Sequence, residues 1–168
     1  MSDRQLVLVR HAKAAQGAVD AERPLTSRGA RDASAIGAEL LRHDVIPDRA
    51  VVSPARRARE TWEQASADLP IGVPPVLDTR IYDNTADALL AVVRDTPADV
   101  RTLALIGHNP SIERLADLLD DEAGDAAARA HLARGYPTSG IAVFTLHAPF
   151  AEITAGSATL THFDAPRG

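Results

Sequence analysis

Cysteine is absent from the 168 residues, and aromatic residues make up only 4% of them. The absence of thiols excludes disulfides, thiolate catalysis, iron–sulfur clusters and cysteine-ligated zinc. Basic residues are outnumbered, because 18 Lys and Arg face 23 Asp and Glu and leave a formal net charge of −5. A chain with this balance has no overall positive field to hold a nucleic-acid backbone or an anionic membrane. We therefore expect neither nucleic acid nor membrane among its partners.

Long apolar stretches are also absent. The apolar run nearest the start, Leu6–Val9, is too short for a signal peptide or a membrane span, which favours a cytoplasmic location. The content of 45% hydrophobic and 24% charged residues is typical of a globular protein. A chain of this length buries roughly 70% of its unfolded surface in one core. We predict a single domain over residues 1–168.

Short β-rich runs alternate with longer helical patterns, which is typical of an α/β domain with a mostly parallel sheet. The predicted strands are Leu6–Val9, Ala50–Val52, Val76–Leu77, Thr102–Ile106, Ile141–Leu146 and Ala158–Phe163. The last two are expected to pair with each other in an antiparallel part of the sheet. Helices are predicted after Thr26, after Ser53-Pro54 (with Ser53 as a helix cap), over Ala86–Val93 and after Pro110.

Charged or imidazole side chains follow three of the predicted strands: Arg10-His11, Ser53-Pro54-Ala55-Arg56-Arg57 and Gly107-His108. Because the carboxyl ends of parallel strands meet in one crevice, we expect these side chains to converge. Guanidinium groups bind phosphate oxygens in pairs and remain charged at neutral pH. The pattern therefore predicts a local anion site, best suited to phosphate. Arg57 has the most favourable spacing from Ser53, although Arg56 and Arg59 lie on the same helical turn.

A neutral histidine beside two arginines can act as a covalent nucleophile, and His11 is the candidate. Water would then hydrolyse the phosphorylated imidazole, while the arginines and His108 neutralise the phosphoryl oxygens. This chemistry requires neither a metal nor a cofactor. The sequence also has no Walker A or Gly-x-Gly-x-x-Gly pattern, which argues against a nucleotide cofactor.

The motifs together resemble the histidine phosphatase superfamily, which is phosphoglycerate mutase-like, and within it the short SixA-type protein histidine phosphatases. The resemblance extends from residue 6 to about residue 146. It rests on Leu-Val-Arg10-His11-Ala12, Arg23-Pro24-Leu25-Thr26-x-x-Gly29, Ser53-Pro54-x-x-Arg57-Ala58-x-x-Thr61, Tyr82, Gly107-His108-Asn109-Pro110 and Thr138-Ser139-Gly140. All of these in order, with the three charged motifs each following a strand, form a far more specific signal than Arg-His alone.

The resemblance implies a three-layer α/β/α sandwich with a mostly parallel mixed sheet. It implies that His11 is the phosphorylated nucleophile, that Arg10 and Arg57 bind the phosphoryl oxygens, and that His108 completes the pocket. The implied activity is a metal-independent phosphohistidine phosphatase. The implied partner is a phosphorylated protein, such as a histidine phosphotransfer domain, or else a small phosphorylated substrate.

A general acid is not evident, although many members of the superfamily carry one in a longer insertion. Asp83 is the nearest candidate, and a loop charge is the simpler interpretation of it. The P–N bond of phosphohistidine needs less help in breaking than a phosphate ester does, so a missing acid favours phosphohistidine. The short segment between Thr61 and Gly107 leaves little room for a lid, which suits a protein substrate.

Two other functions remain open from the sequence. One is a small-molecule phosphomonoesterase of the same superfamily, and the other is a non-catalytic phosphate or phosphopeptide-binding module. A mutase is disfavoured because transfer within one small substrate requires a closed pocket. The remaining histidines show no ligand spacing and are predicted to be surface or packing residues: His43, His131, His147 and His162.

Overall fold

A six-stranded sheet forms the centre of the protein in the computed structural model, which describes residues 3–168. The strands are β1 (Arg4–Arg10), β2 (Arg49–Val52), β3 (Val76–Leu77), β4 (Thr102–Gly107), β5 (Ile141–Leu146) and β6 (Ala158–Asp164). Their spatial order is β3-β2-β4-β1-β5-β6. The first four strands in this order pair in parallel, whereas β5 runs antiparallel to both β1 and β6. Each predicted strand is confirmed, including the antiparallel pairing of β5 with β6.

In the part of the chain that the structure describes, six α-helices cover the two faces of the sheet. They are α1 (Ser27–Arg42), α2 (Arg56–Ser66), α3 (Thr79–Tyr82), α4 (Ala86–Arg94), α5 (Ser111–Leu119) and α6 (Ala126–Ala133). In residues 3–168, no helix combines the length and the apolar character that a membrane span requires.

The central strands carry apolar side chains on both faces, as their continuous hydrophobic runs predict. Leu6 and Leu8 of β1 belong to a core shared with α4, α5 and α6. Val7 and Val9, which point to the opposite face, belong to a second core shared with α1 and α2. The sheet therefore lies between two layers of helices, and the three-layer α/β/α sandwich is confirmed.

Two local predictions need correction. Helix α6 was not expected, although Asp125 caps it by accepting the Ala128 amide proton at 2.9 Å and alanine has the highest helix propensity. Ser53 does not cap α2, whose N-cap residue is Ala55. The chain needs two residues after Ser53 to turn from the strand into the helix, so the hydroxyl remains beside the sheet. Ser53 is fully buried there.

The pairing register places the ends of β1, β2 and β4 at one edge of the sheet. Arg10 lies opposite Gly107, and Val52 lies opposite Ile106. The backbone pairing continues past the strand ends, because the His11 amide donates to the Gly107 carbonyl at 3.0 Å. The residues that follow the three strands are thus brought to one point on the surface.

Candidate active site

A cavity of about 480 Å³ lies at this edge of the sheet. The residues that line it are Arg10, His11, Lys13, Ala14, Asp20, Arg23, Arg57, Tyr82, Asn84, His108, Asn109 and Thr138. All four residues predicted with most support, namely Arg10, His11, Arg57 and His108, are among them. Four basic side chains face one carboxylate within this lining, so a chain with an acidic net charge nevertheless carries a positive pocket.

His11 is held as a neutral ring with one defined tautomer. Its Nδ1 atom lies 2.7 Å from the Ala12 carbonyl oxygen, which can only accept, so Nδ1 carries the proton and Nε2 keeps a lone pair. Burial lowers the pKa of His11 to about 4, and the positive charges of Arg57 and Arg10 act in the same direction. The ring is therefore uncharged and nucleophilic at neutral pH.

His108 is buried next to His11, with the two ring centroids 5.3 Å apart. Burial lowers its pKa to about 3, helped by the adjacent His11 and Arg57. Its Nε2 lies 2.8 Å from the hydroxyl of Ser53, which already accepts the Ala55 amide proton at 3.2 Å. Donation of the Ser53 hydroxyl proton to Nε2 satisfies both groups and leaves the ring proton on Nδ1. The contact with Ser53 therefore favours the tautomer of His108 that carries its proton on Nδ1.

Arg57 is the arginine of α2 that reaches the pocket. Only 7% of it is exposed, and it lies in the first turn of the helix. Its neighbours point away, because Arg56 is exposed and pairs with Glu60 at 3.1 Å, and Arg59 is exposed and donates to the Pro54 carbonyl at 3.0 Å. The choice that the sequence left open among the three arginines is thus settled by their geometry.

Arg10 is anchored from the other side of the pocket. Its Nη1 donates to the Tyr136 carbonyl at 2.8 Å, and burial lowers the pKa of its guanidinium.

Within residues 3–168, Nε of Arg10, Nε of Arg57 and Nδ1 of His108 are buried and have no hydrogen-bond partner. A buried donor without an acceptor costs free energy, so three residues of this pocket retain unsatisfied hydrogen-bonding capacity.

Asp20 is the carboxylate of the pocket, and the sequence analysis missed it. Its backbone oxygen accepts from Arg57 Nη1 at 2.7 Å, and its Oδ2 accepts from Arg57 Nη2 at 3.1 Å. The Tyr82 hydroxyl donates to the same carboxylate at 2.5 Å, and Arg23 Nη1 donates to it at 3.1 Å. These hydrogen bonds hold the pKa of Asp20 well below its usual range, with Tyr82 and Arg23 as the largest causes. Asp20 is therefore ionised.

The segment from Arg23 to Gly29 explains how Arg23 and Asp20 reach the pocket. The Thr26 amide donates to the Lys13 carbonyl at 3.0 Å, and the Ala15 amide donates to the Pro24 carbonyl at 2.8 Å. A Cβ atom at Gly29 would lie 2.1 Å from the Lys13 carbonyl oxygen, so only glycine permits this approach. The motif thus binds the segment before α1 to the loop that follows His11. The Arg23-Pro24-Leu25-Thr26-x-x-Gly29 motif is the sequence feature from which a role for Arg23 in the pocket could be predicted.

Asp83 is not brought into the pocket. It is exposed and follows the last residue of α3, whereas Tyr82 and Asn84 on either side of it line the cavity. A general acid role for Asp83 stays a prediction without geometric support.

Comparison with known proteins defines the family. The sequence profile of the histidine phosphatase superfamily (branch 1) matches residues 6–99. An uncharacterized protein of Mycobacterium tuberculosis is 33% identical over 162 residues, which cover 95% of this chain and all of that protein. The chain belongs to branch 1 of the histidine phosphatase superfamily.

Solved structures narrow the similarity to phosphatases of the SixA type. A Nakamurella multipartitia protein, provisionally described as the phosphohistidine phosphatase SixA, superposes with a TM-score of 0.86 at 30% identity and covers 99% of this chain and 98% of that one. The protein histidine phosphatase SixA complexed with tungstate superposes with a TM-score of 0.78 at 25% identity, covering 96% and 97% of the two chains. The protein is accordingly a phosphatase of the SixA-like group.

The pKa of His11 provides a direct test of the site geometry. In a ¹⁵N-detected titration, we expect His11 to remain the neutral Nδ1–H tautomer at pH 6 and to titrate near pH 4. Because the unfolded chain binds this proton near pH 6.5, the folded state should lose stability as the pH falls from about 6.5 towards 4. The His11 signals are assigned by their loss in His11→Ala. Titration of His11 near pH 6.5, or an Nε2–H tautomer, would contradict the arrangement.

Proposed function

We propose that the protein is a phosphohistidine phosphatase that removes phosphoryl groups from histidine-phosphorylated proteins through a covalent intermediate on His11. The observation that carries the proposal is the neutral His11 ring, whose proton is held on Nδ1 by the Ala12 carbonyl at 2.7 Å. This arrangement directs the Nε2 lone pair for attack on phosphorus while guanidinium groups surround the ring.

The first chemical step transfers the phosphoryl group. Nε2 of His11 attacks phosphorus, the P–N bond of the substrate breaks, and a new P–N bond forms on His11. Substrate imidazole leaves and receives a proton from solvent. Arg10 and Arg57 neutralise the oxygens of the phosphoryl group during transfer, and Nδ1–H of His108 donates to one of them. The buried donors of these residues that lack protein acceptors support this assignment.

The second step returns the enzyme to its starting state. Water attacks the phosphorus of phosphorylated His11, the P–N bond on His11 breaks, the attacking water gives up a proton to solvent, and inorganic phosphate leaves. The Nε2 lone pair is restored while Nδ1 keeps its proton on the Ala12 carbonyl. No step requires a group other than water and the residues of the pocket. The similar SixA phosphatase forms a complex with tungstate, which like phosphate is a tetrahedral oxyanion, and this supports oxyanion binding by a protein of this group.

The protonation states in the pocket favour a phosphoramidate over a phosphate ester. An alkoxide leaving group needs a general acid, usually a protonated carboxyl or an imidazolium. Here the hydrogen bonds from Tyr82 and Arg23 keep the pKa of Asp20 low, and burial keeps His11 and His108 neutral. Imidazole leaves phosphorus without such help more readily than an alcohol does. The pocket thus suits phosphohistidine.

The rim of the pocket supports a protein as the carrier of that phosphohistidine. Lys13 and Tyr82 are exposed, and the whole segment from residue 16 to residue 22 is exposed. Asp20 remains 53% exposed at its side chain although it pairs with Arg57. A histidine on a protein surface can approach such a rim, while a small substrate would gain little enclosure from it.

Phosphate release by purified wild type and variants tests the function. The substrate is a histidine phosphotransfer domain phosphorylated with phosphoramidate, compared with p-nitrophenyl phosphate, both in buffer containing a chelator. We expect release from the phosphoprotein, and a decrease of about 10³-fold or more in His11→Ala, because the nucleophile is lost. His147→Ala, which removes an exposed histidine outside the pocket, should retain wild-type activity.

The outcomes separate the candidate functions. Turnover of p-nitrophenyl phosphate alone would contradict the proposal and indicate a small-molecule phosphomonoesterase. Phosphate binding without turnover of either substrate would indicate a binding module. Undiminished activity of His11→Ala would exclude the covalent mechanism.

Arg57 and Arg56 form a matched pair for testing transition-state stabilisation. We expect Arg57→Ala to reduce kcat by about 10²–10³-fold, which is typical for loss of one donor to a developing anion. Arg56→Ala removes the same charge from the residue immediately before Arg57. The Arg56 side chain is exposed and pairs with Glu60, so its loss should change kcat by less than about threefold. Circular dichroism verifies that both variants are folded. Equal losses in the two variants would show that only the net charge of the helix matters.

A further inference from the structure

A glutamate and a histidine near the end of α1 meet a second histidine that lies 123 residues from the glutamate in the sequence, far from the end of α1 that contacts the pocket. Glu39 and His43 lie one helical turn apart at the end of α1, and His162 lies on the edge strand β6. The Nε2 atoms of His43 and His162 lie 3.0 Å and 3.1 Å from the same Glu39 oxygen, Oε1. The three atoms are all within 4.8 Å of one another. The sequence analysis predicted His43 and His162 to be unrelated surface or packing residues, and their meeting here is a correction.

We propose that Glu39, His43 and His162 form a binding site for a divalent transition-metal ion, with zinc as the best fit. Zinc takes imidazole nitrogen and carboxylate oxygen at about 2.0–2.2 Å in a tetrahedron. Two ligand atoms at that distance from one ion are about 3.3 Å apart. The two nitrogen–oxygen separations in this cluster are close to that spacing, so small movements of the side chains would admit the ion.

The burial of the three side chains fits a site open on one side. The Glu39 side chain is only 7% exposed, whereas the exposed fractions are 24% for His162 and 42% for His43. The carboxylate thus forms the floor, and solvent reaches the cluster past His43. Water can supply the fourth ligand from that side.

Arg42 supports the orientation of the carboxylate. Its Nη2 donates to Glu39 Oε2 at 2.8 Å, which leaves Oε1 directed at the two imidazoles. Hydrogen bonds of this kind to the free oxygen of a ligating carboxylate fix its orientation at metal sites. The Arg42 side chain is 65% exposed, so solvent screens most of its repulsion of a cation.

The site is distinct from the phosphatase pocket, because the pocket contacts the opposite end of the same helix. Thr26, which precedes α1, binds the loop after His11, and Glu39 lies 13 residues further along the chain. At 1.5 Å per residue, this separation is roughly 20 Å. A bound ion would join the end of α1 to β6 and thereby stabilise the fold without entering the reaction.

Calorimetric titration of the tag-free, chelator-treated protein with zinc chloride tests the site. We expect one equivalent of zinc to bind, with an accompanying rise in Tm. Loss of one ligand in His43→Ala or His162→Ala should weaken binding by about 100-fold or more, which is the upper end of the effect of losing a supporting hydrogen bond at metal sites. His147→Ala should bind as wild type does, and phosphate release by His43→Ala in chelator should be unchanged. His43→Ala is the first variant to test, because His43 is the most exposed of the three ligands and its substitution disturbs the fold least.

Two further measurements keep the result unambiguous. Cobalt(II) added to wild type should give the intense visible absorption of a tetrahedral site, and zinc should displace it. His11→Ala should retain zinc binding, which shows that the ion does not occupy the phosphatase pocket. No binding by wild type, binding that survives in both His43→Ala and His162→Ala, or binding that is lost in His11→Ala would each overturn the proposal.

Discussion

Parallel pairing of β4 with β1 on one side and with β2 on the other is the constraint on which the site depends. It places His11, Ser53 and His108, each the first residue after its strand, at the same edge of the sheet. The central strands are buried on both faces, so their register cannot shift without moving apolar side chains out of two cores. The relative positions of these three residues are thus fixed by the packing of the sheet.

Electrostatic balance is the second requirement. Arginines that converge to bind a phosphoryl group repel one another when it is absent, and burial of a histidine beside them adds a further cost. The structure offsets this cost locally, because Asp20 accepts hydrogen bonds from both Arg57 and Arg23, and Tyr82 adds a third. Burial and the positive charges of Arg57 and Arg10 lower the pKa of both imidazoles and leave them neutral. Neutral His11 can attack phosphorus, and neutral His108 can donate one hydrogen bond without repelling the arginines.

Much of the fold and the centre of the site could be predicted from the sequence, because both depend on local patterns. Continuous apolar runs indicate buried strands, and a motif that follows a strand lies at a known edge of a parallel sheet. Asp20 escaped notice because it lies in an exposed segment without periodicity, and its partner Arg57 is 37 residues away. Serine is common at helix caps, which favours a cap role for Ser53, yet its side chain contacts His108, 55 residues away.

The cluster of Glu39, His43 and His162 could not be predicted from the sequence for the same reason, since it depends on a contact between distant residues. Glu39 and His43 are four residues apart on a helix, and pairs with this spacing are common on exposed helix faces. His162 is 123 residues from Glu39. Only the position of β6 beside α1 brings the third side chain to the pair. By contrast, α6 could have been predicted, since Asp125 precedes a run of three alanines.

Direct detection of the phosphorylated enzyme tests the central claim, which is covalent catalysis by His11. Wild type is mixed with a histidine-phosphorylated protein, quenched in alkali within milliseconds to seconds, digested and mapped by mass spectrometry. The account predicts a phosphoryl group on the peptide that contains His11, which forms and decays at least as fast as turnover. Turnover without any label on His11, or label on His108 instead, would contradict it.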